Sequence, residues 1–444
     1  MRHWFRDQHF RSLLKNSSYL GASKIIAAIA GIATLAFAGR GLGVTAFGLL
    51  ILIHSYAQAA SGLSKFQSWQ VVVRYGGQVL TGSKTQEFRS ATDFALGLDI
   101  ASGIGGMIVA MALLPFIGGR VGLPDELIGV AVLYCLVLPT MGAMTPQGVL
   151  RAFDRFDLIS GAGIVHPIVR AILAGAAWAS GAPLLAYVVI WFATDMLGDL
   201  LLWFFAFREL RRHELLQGLK PTLSPKELPN AWRFAIHVNL NSSLLAAWGP
   251  IARLLVGALL GPASAALYRT AASLADSAQK PTDLLGRAFY PEVMRMDHST
   301  KRPWKLMLRG MVLAGSVGLF LVALVLLGGK PLIGLIFGKQ FVPAYSALAI
   351  LIIAPLLAMI SFPLPSMLYA ADRPEGPFLA RLIGVVVYFA IVAPLTWRFG
   401  LSGAAAAFVL GYVVMVAALV LQVWREYQRI GPSSQARVAE KLAE

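Results

Sequence analysis

Residues 234–295 read FAIHVNLNSSLLAAWGPIARLLVGALLGPASAALYRTAASLADSAQKPTDLLGRAFYPEVMR. Two apolar spans, 235–260 and 262–288, meet at the turn formed by Gly261 and Pro262. Each span is long enough to cross ~30 Å of hydrocarbon at ~1.5 Å per residue. The stretch therefore predicts a helical hairpin that crosses a membrane twice.

Ionisable side chains lie inside both spans of this hairpin, and they are Arg253, Arg269, Asp276, Lys280 and Asp283. A charged group at that depth is costly in lipid, so we expect these residues to face a protein interior or a water-filled cavity. In the second span, the residue spacing places Ser273 and the four charged residues from Arg269 to Asp283 on one helical face. The pattern predicts that this helical face forms a polar, charged wall of a cavity.

Composition indicates that the whole chain, like the hairpin, is rich in membrane-spanning helices. Of its 444 residues 57% are hydrophobic and 14% are charged, whereas soluble proteins have about 25% charged residues. The single cysteine, Cys135, excludes a disulfide framework and a thiolate metal cluster. The seven histidines lack metal-site spacing, and the chain has no phosphate-binding P-loop motif, so we expect no metal and no cofactor.

Hydropathy predicts an all-α polytopic membrane protein with about twelve transmembrane helices, six in each of two lobes. One of the twelve, 341–370, is expected to be a long span interrupted by prolines. The polar composition after Pro432 predicts a disordered end. The predicted segments are a cytoplasmic amphipathic segment 1–17, an N-lobe 18–207, a cytoplasmic linker 208–233, a C-lobe 234–424 and a cytoplasmic tail 425–444.

Basic residues predict the orientation of the chain. With the N-terminus inside, 28 of the 38 Lys and Arg residues fall in cytoplasmic segments and 5 in outer loops. This bias is the positive-inside pattern, and it places both termini in the cytoplasm. The net charge of +16 is therefore explained by orientation, and we expect no nucleic-acid partner.

An internal repeat supports two equal halves. Leu42-Gly43 recurs as Leu260-Gly261, and the Ala-x-Asp-Arg segment ending at Arg155 recurs at Arg373, both at an offset of 218 positions. A Trp-x-x-Gly segment ending at Gly181 recurs 219 positions later. Because six helices is an even number, the halves run parallel, which is a transporter-type duplication with a central cleft between the lobes.

Several segments also resemble a known family. They are LGVTAFGLL at 42–50, RYGG at 74–77, TPQGVLRAFDRFD at 145–157, LLGPASAALYRTA at 259–271 and FGKQFVPAY at 337–345. They are similar to the polysaccharide exporters and O-antigen-type flippases of the multidrug/oligosaccharidyl-lipid/polysaccharide (MOP) superfamily, and the similarity covers nearly the whole chain.

The resemblance implies translocation of a polyprenyl-diphosphate-linked oligosaccharide by alternating access, for surface polysaccharide or lipopolysaccharide synthesis. It implies the bacterial inner membrane as location. It also implies the lipid-linked oligosaccharide, membrane lipids and polysaccharide assembly proteins as partners. A secondary transporter, rather than an enzyme, is expected.

The candidate substrate-binding residues are Arg253, Arg269, Lys280, Lys24 and Ser273. Arg253 and Arg269 lie at matched depth on either side of the turn at 261, and guanidinium groups bind phosphate in a bidentate manner, so together they suit a diphosphate. The competing interpretation is internal salt bridging, for example between Arg269 and Asp276. For Lys24, snorkelling to the interface explains the position as well as cavity lining does.

The remaining intramembrane charges are interpreted as structural or ion-coupling groups. They are Arg170, Asp195, Asp199, Asp99, Asp276 and Asp283. Arg170 and Asp195 lie at comparable depth in neighbouring helices, and a structural pair is favoured there over a substrate or proton site. Asp99 is a candidate ion or proton carboxylate.

Two other functions stay open at this point. A multidrug cation antiporter of the same superfamily would need carboxylates in the cleft, and both signs of charge are present. A membrane glycosyltransferase or polymerase would need a sizeable outer loop, and the longest predicted outer loop, near 328–340, is short and has no carboxylate.

Overall fold

A computed structural model describes residues 8–76, 85–142, 144–225, 227–294, 296, 302–373 and 375–443. Within these ranges, it does not describe the side chains of residues 8–22, 240–247, 281, 283, 284, 287, 288, 291 and 429–443.

The described residues form fourteen α-helices and no β-strand. The helices are α1 Gln8–Ser64, α2 Ser68–Gly76, α3 Thr85–Ile117, α4 Asp125–Tyr134, α5 Met144–Ala152, α6 Phe156–Ala179, α7 Leu184–Arg212, α8 Ala231–Leu260, α9 Pro262–Met294, α10 Arg302–Phe337, α11 Ala344–Leu351, α12 Ile353–Ser361, α13 Leu364–Ala370 and α14 Glu375–Ala443. Short 3-10 helices cover Gly119–Val121, Cys135–Val137 and Lys339–Phe341.

Seven helical segments of the described chain are long and apolar enough to cross a membrane. Two of them, Ser23–Ser64 and Glu375–Gln428, are longer than one crossing needs. Each contains one residue with non-helical backbone angles, Gly43 in the first and Gly400 in the second. In the second segment the chain folds back, because a Cβ atom at Gly384 would lie 2.7 Å from the carbonyl oxygen of Gly411.

The number of helical passes follows from these breaks. The two arms of α1, before and after Gly43, are one pass each, and so are the two arms of α14, before and after Gly400. The interrupted runs α4–α5 and α11–α13 are also one pass each. Together with the six other long helices this gives twelve passes in the described chain, as hydropathy predicts. The predicted all-α polytopic fold is confirmed.

The outer surface of the described helices is apolar, as a lipid-facing surface must be. Leu327, Phe116 and Leu335 are 86%, 78% and 75% exposed, and many other large apolar side chains are also open. In water such a surface would favour aggregation, whereas hydrocarbon solvates it.

The internal repeat is visible in the backbone. Gly43 has φ 72° and ψ 176°, and its counterpart Gly261 has φ 84° and ψ 173°. Asp154 and Asp372 are both left-handed, with φ of 56° and 60°. Equal conformations at the predicted 218-residue offset are what a duplicated six-helix unit produces.

The loops that contain these aspartates are built alike. Arg155 donates its backbone N–H to Leu150 O at 2.8 Å, and Arg373 donates to Leu368 O at 2.9 Å. The arginine side chain then forms an ion pair near the end of a later helix, with Glu209 in α7 for Arg155. Arg373 forms the corresponding pair with Glu426 in α14 at 3.3 Å. These contacts order the loop in the same way in both halves.

The chain divides into two compact units, Met1–Ala266 and Leu267–Glu444. This division falls early in α9, not in the linker 208–233 that the sequence predicts as the lobe boundary. Contacts between α8 and α1 explain the difference, since a Cβ atom at Gly257 would lie 2.4 Å from the Leu52 side chain. The division into an N-lobe and a C-lobe at the linker 208–233 stays a prediction.

Each unit has its own apolar core. In the first unit, one cluster joins Phe88 and Phe153 to Leu210, which brings α3, the loop after α5 and α7 together. In the second unit, Val293 packs with Met367 and Ala380, which joins α9, α13 and α14.

Three features differ from the sequence-based expectations. The fourth pass is broken between α4 and α5, where Pro139 and Gly142 interrupt the helix. A short helix, α2, follows the second pass. The predicted disorder after Pro432 is wrong, since α14 continues to Ala443. The strong helix formers Ala, Arg, Glu, Lys and Leu that follow Pro432 account for the continuation.

Candidate functional site

Arg253 is buried in the eighth helix of the first unit, where it is 7% exposed. Its Nε donates to Ser55 Oγ and its Nη2 donates to Gln58 Oε1, both at 2.7 Å. Both partners lie on the second arm of α1. Both partners are neutral, and they fix the orientation of the guanidinium group.

Further predicted substrate residues lie on α9. Arg269, Ser273 and Lys280 are half-buried, and Asp276 is exposed. The side chain of Asp283 lies outside the described residues. Arg269 belongs to the second unit and Arg253 to the first, so joint phosphate binding by the two stays a prediction, as does salt bridging within α9.

Lys24 lies near the beginning of the first apolar span and is exposed. A long basic side chain at this position can extend towards a membrane interface. The position fits snorkelling, and cavity lining by Lys24 stays a prediction.

Asp195 is the centre of a buried polar network in the first unit. Its Oδ1 accepts a hydrogen bond from Arg170 Nη2, and its Oδ2 accepts one from the Tyr134 hydroxyl at 2.7 Å. Nε2 of His54 lies 3.3 Å from Oδ2, and Nε2 of His166 lies 3.5 Å from Oδ1. The structure thus brings Arg170 and Asp195 together, as their matched depth predicts.

The same arginine makes further contacts within the first unit. Its Nε donates to Thr194 Oγ1 at 2.7 Å, and its Nη2 lies 3.3 Å from Trp191 O. Arg170 is 8% exposed, so these contacts take place in a nearly dry environment. The network joins the second arm of α1 with α4, α6 and α7, and it combines charge compensation with groups that can carry protons.

A second polar cluster surrounds the break in the fourth pass. Asp99, 3% exposed, accepts from Ser68 Oγ at 2.6 Å and from the backbone N–H of Thr145 at 2.8 Å. The backbone N–H of Gly142 lies 3.2 Å from both carboxylate oxygens of Asp199.

Lys65 completes this cluster by donating to Pro139 O at 2.8 Å. Backbone groups freed by a helix break must be satisfied within the protein when lipid surrounds it. Asp99, Asp199 and Lys65 do this for three of them. These contacts support a structural role for Asp99, beside the predicted ion or proton role.

Sequence reasoning missed several of these side chains. Tyr134, His54 and His166 come from three different helices, and no local spacing connects them. For Lys65, the position directly after an apolar span gives no sign of a contact with the break in the fourth pass. Its role could have been found from Pro139 and Gly142, since both residue types interrupt a helix. Within the described part of the chain, no group of three or more His, Cys, Asp or Glu residues is placed to hold a metal ion.

Comparison with known proteins identifies the family of this chain. Residues 13–296 match the family described as "Polysaccharide biosynthesis protein". The chain is 40% identical over 347 residues to "Inner membrane protein YghQ" of Escherichia coli (strain K12), which covers 78% of this chain and 98% of that protein.

Solved structures share the fold. An inward-facing multidrug resistance MATE family transporter of the MOP superfamily matches with a TM-score of 0.70 and 15% identity, over 93% of this chain and 96% of that one. The lipid II flippase MurJ in an inward closed conformation matches with a TM-score of 0.67 and 14% identity, over 94% and 90%. The family match and the shared fold agree with the resemblance found in the sequence, and this multi-pass membrane protein belongs to the polysaccharide biosynthesis protein family.

Proposed function

We propose that this protein is a flippase that moves a polyprenyl-diphosphate-linked oligosaccharide across the bacterial inner membrane, with both termini in the cytoplasm. The family match supports a role in polysaccharide biosynthesis. The fold is shared with a flippase of a lipid-linked molecule. The relative in Escherichia coli is an inner membrane protein by its name, which supports the location.

The observation that carries the proposal is the placement of Arg253. It is a buried, positively charged group within a membrane-crossing helix, held in a fixed orientation by Ser55 and Gln58. A charge at this depth is costly and marks a substrate or ion pathway more often than a packing role. A guanidinium group presents a planar fork of donors that matches phosphate oxygens.

We assign the same substrate role to Arg269, Lys280, Lys24 and Ser273. These side chains would bind the diphosphate while the polyprenyl tail stays in the bilayer. Alternating access by rocking of the two six-helix lobes would then carry the head group across. The substrate would be moved unchanged, and no side chain would act as a catalyst.

The second candidate function is extrusion of organic cations coupled to an ion. The buried Asp195 network favours it, since two histidines, a tyrosine and a carboxylate could exchange protons within the membrane. Under the flippase proposal, the same network stabilises the packing of α1, α4, α6 and α7 in the first unit.

The test is a set of variants in a cell that depends on this protein for its surface glycan. We expect Arg253→Ala and Arg269→Ala to abolish glycan export at near-normal membrane abundance, since each removes a phosphate-binding fork. Arg269→Lys should keep part of the activity because the charge remains. The matched control is Arg398→Ala, which removes an exposed arginine near the turn at Gly400 and should export normally.

Salt bridging within α9 makes a different prediction. In that case Arg269→Ala lowers the protein level, and Asp276→Ala reproduces the defect. Normal export by well-expressed Arg253→Ala and Arg269→Ala would end the proposal that these residues bind substrate.

A further inference from the structure

A cavity of about 690 Å³ lies within the second unit, lined by α9, α12, α13 and both arms of α14. This volume is in the range of ~300–1,000 Å³ that is usual for small-molecule sites. The cavity is on the side of the loop at Asp372 and Arg373, away from the turn at Gly400, and charge counting predicts this side to be cytoplasmic. It is therefore open to a ligand that is made in the cytoplasm.

The lining of this cavity is suited to an anionic sugar. Among the described residues that line it are one cation, Arg381, and the phenol rings of Tyr290, Tyr369 and Tyr412. None of the lining side chains that the structure describes is acidic. In the described part of the chain, Arg381 makes no ion pair with a carboxylate within 4.0 Å, so its charge is available to a ligand.

An unpartnered hydroxyl points to the same conclusion. Thr282 is 6% exposed and lines the cavity, and its Oγ1 has no hydrogen-bond partner among the described residues. A buried polar atom without a partner is destabilising, so such atoms in native proteins usually meet water or a ligand. Gln279 lies one helical turn before Thr282 on the same wall and adds an amide group.

Aromatic rings shape the opening of the cavity. Tyr290 and Tyr369 meet edge to face, with ring centroids 6.1 Å apart and an interplanar angle of 88°. They are 41% and 42% exposed, so each ring still has an open face. A sugar ring presents C–H groups on one face and hydroxyl groups at its edge, which suits an aromatic face beside phenol hydroxyls.

The duplicated six-helix unit does not by itself determine the residues that line this cavity. At the 218-residue offset, Arg381 and Tyr290 correspond to Gly163 and Val72 in the first unit. At the 219-residue offset of the last helix, Tyr412 corresponds to Ala193. Arg381, Tyr290 and Tyr412 are therefore specific to the second unit, whereas Gln279 and Thr282 correspond to the polar residues Ser61 and Ser64.

We propose that this cavity is a binding site for a phosphorylated saccharide, with Arg381 on the phosphate and Thr282, Gln279 and the tyrosines on the sugar. The proposal rests on the flippase function, for which it supplies a cytoplasmic docking site for the head group. It adds a site separate from Arg253 and names the sugar phosphate as the recognised chemistry.

The experiment measures binding of a hexose 1-phosphate to the purified full-length protein in detergent by calorimetry. Arg381→Gln should raise the Kd about tenfold or more, because a charge-assisted hydrogen bond is lost. Arg381→Lys should retain part of the affinity, and Thr282→Val should weaken binding less. Arg398→Gln is the matched control and should bind like the wild type.

Three further arms decide the outcome. The unphosphorylated hexose should bind at least about tenfold more weakly to the wild type, and this difference should disappear in Arg381→Gln. Nanodiscs with anionic phospholipid should not compete with the sugar phosphate; competition would assign the cavity to a lipid head group and overturn the proposal. Equal Kd values for the wild type and a folded Arg381→Gln would also overturn it.

Failure of this site and failure of the proposed function are distinguishable. If the wild type flips a lipid-linked saccharide but Arg381 does not affect hexose 1-phosphate binding, the site is wrong and the function stands. If hexose 1-phosphate binds through Arg381 but the wild type flips nothing, the function is wrong and the site stands.

Discussion

The first unit contains a buried charge network around Asp195, whereas the second unit places an arginine and three tyrosines around a cavity. The two units share their turn conformations at a 218-residue offset, so the order of helices and turns is the same in both. Yet Arg170 corresponds to Tyr388, and Asp195, at the 219-residue offset of the last helix, corresponds to Val414. The comparison teaches that the repeat determines where the helices turn, while a few side chains inside each half decide what it does.

The largest expected effect is at the buried pair of the first unit. Arg170→Ala leaves the Asp195 carboxylate without its main cation, which should cost about 3–5 kcal/mol of unfolding free energy. The measurement is the yield and thermal stability of the protein in detergent. Arg170→Ala combined with Asp195→Ala should recover part of the loss, since no uncompensated charge remains. A double variant no more stable than the single one would show that the two side chains are not energetic partners.

The loop ion pairs sharpen the comparison because they occur in both halves. The side chains of Arg155 and Glu209 are 26% and 2% exposed, whereas those of Arg373 and Glu426 are 44% and 16% exposed. We expect Arg155→Ala to cost about 1.5–3 kcal/mol. Arg373→Ala should cost about 1 kcal/mol or less. Denaturation of both variants by the same method checks the order, and equal losses would contradict the role assigned to burial.

Smaller and equal effects are expected at the repeated glycines. Gly43 and Gly261 have positive φ with ψ near 175°, a region that is essentially restricted to glycine. Gly43→Ala and Gly261→Ala should each lower stability by about 1–3 kcal/mol. Gly31→Ala is the control, since it lies in a helix and its Cβ would meet no atom within 4 Å. A clear inequality between Gly43→Ala and Gly261→Ala would show that the two turns are not equivalent.

The sequence predicts the helical passes and turns of this protein because the residues that determine them are close together in the chain. Apolar length gives the twelve passes, and Gly or Asp at matched offsets gives the turns. The Asp195 network was only half predictable, since His54, His166 and Tyr134 approach from three helices that are far apart in the chain. Arg381 has no distinctive local motif, and only tertiary packing shows that it faces a cavity.

Transport of an anionic lipid-linked saccharide is the central claim, and flipping in proteoliposomes tests it most directly. The probe is a fluorescent polyprenyl-diphosphate disaccharide, whose transfer between leaflets is followed by its accessibility to dithionite. We predict transfer by the wild type, partial transfer by Arg253→Lys, none by Arg253→Ala, and none of a phosphate-free analogue. Failure of the wild type to move the probe, or movement by Arg253→Ala at the wild-type rate, would contradict the account.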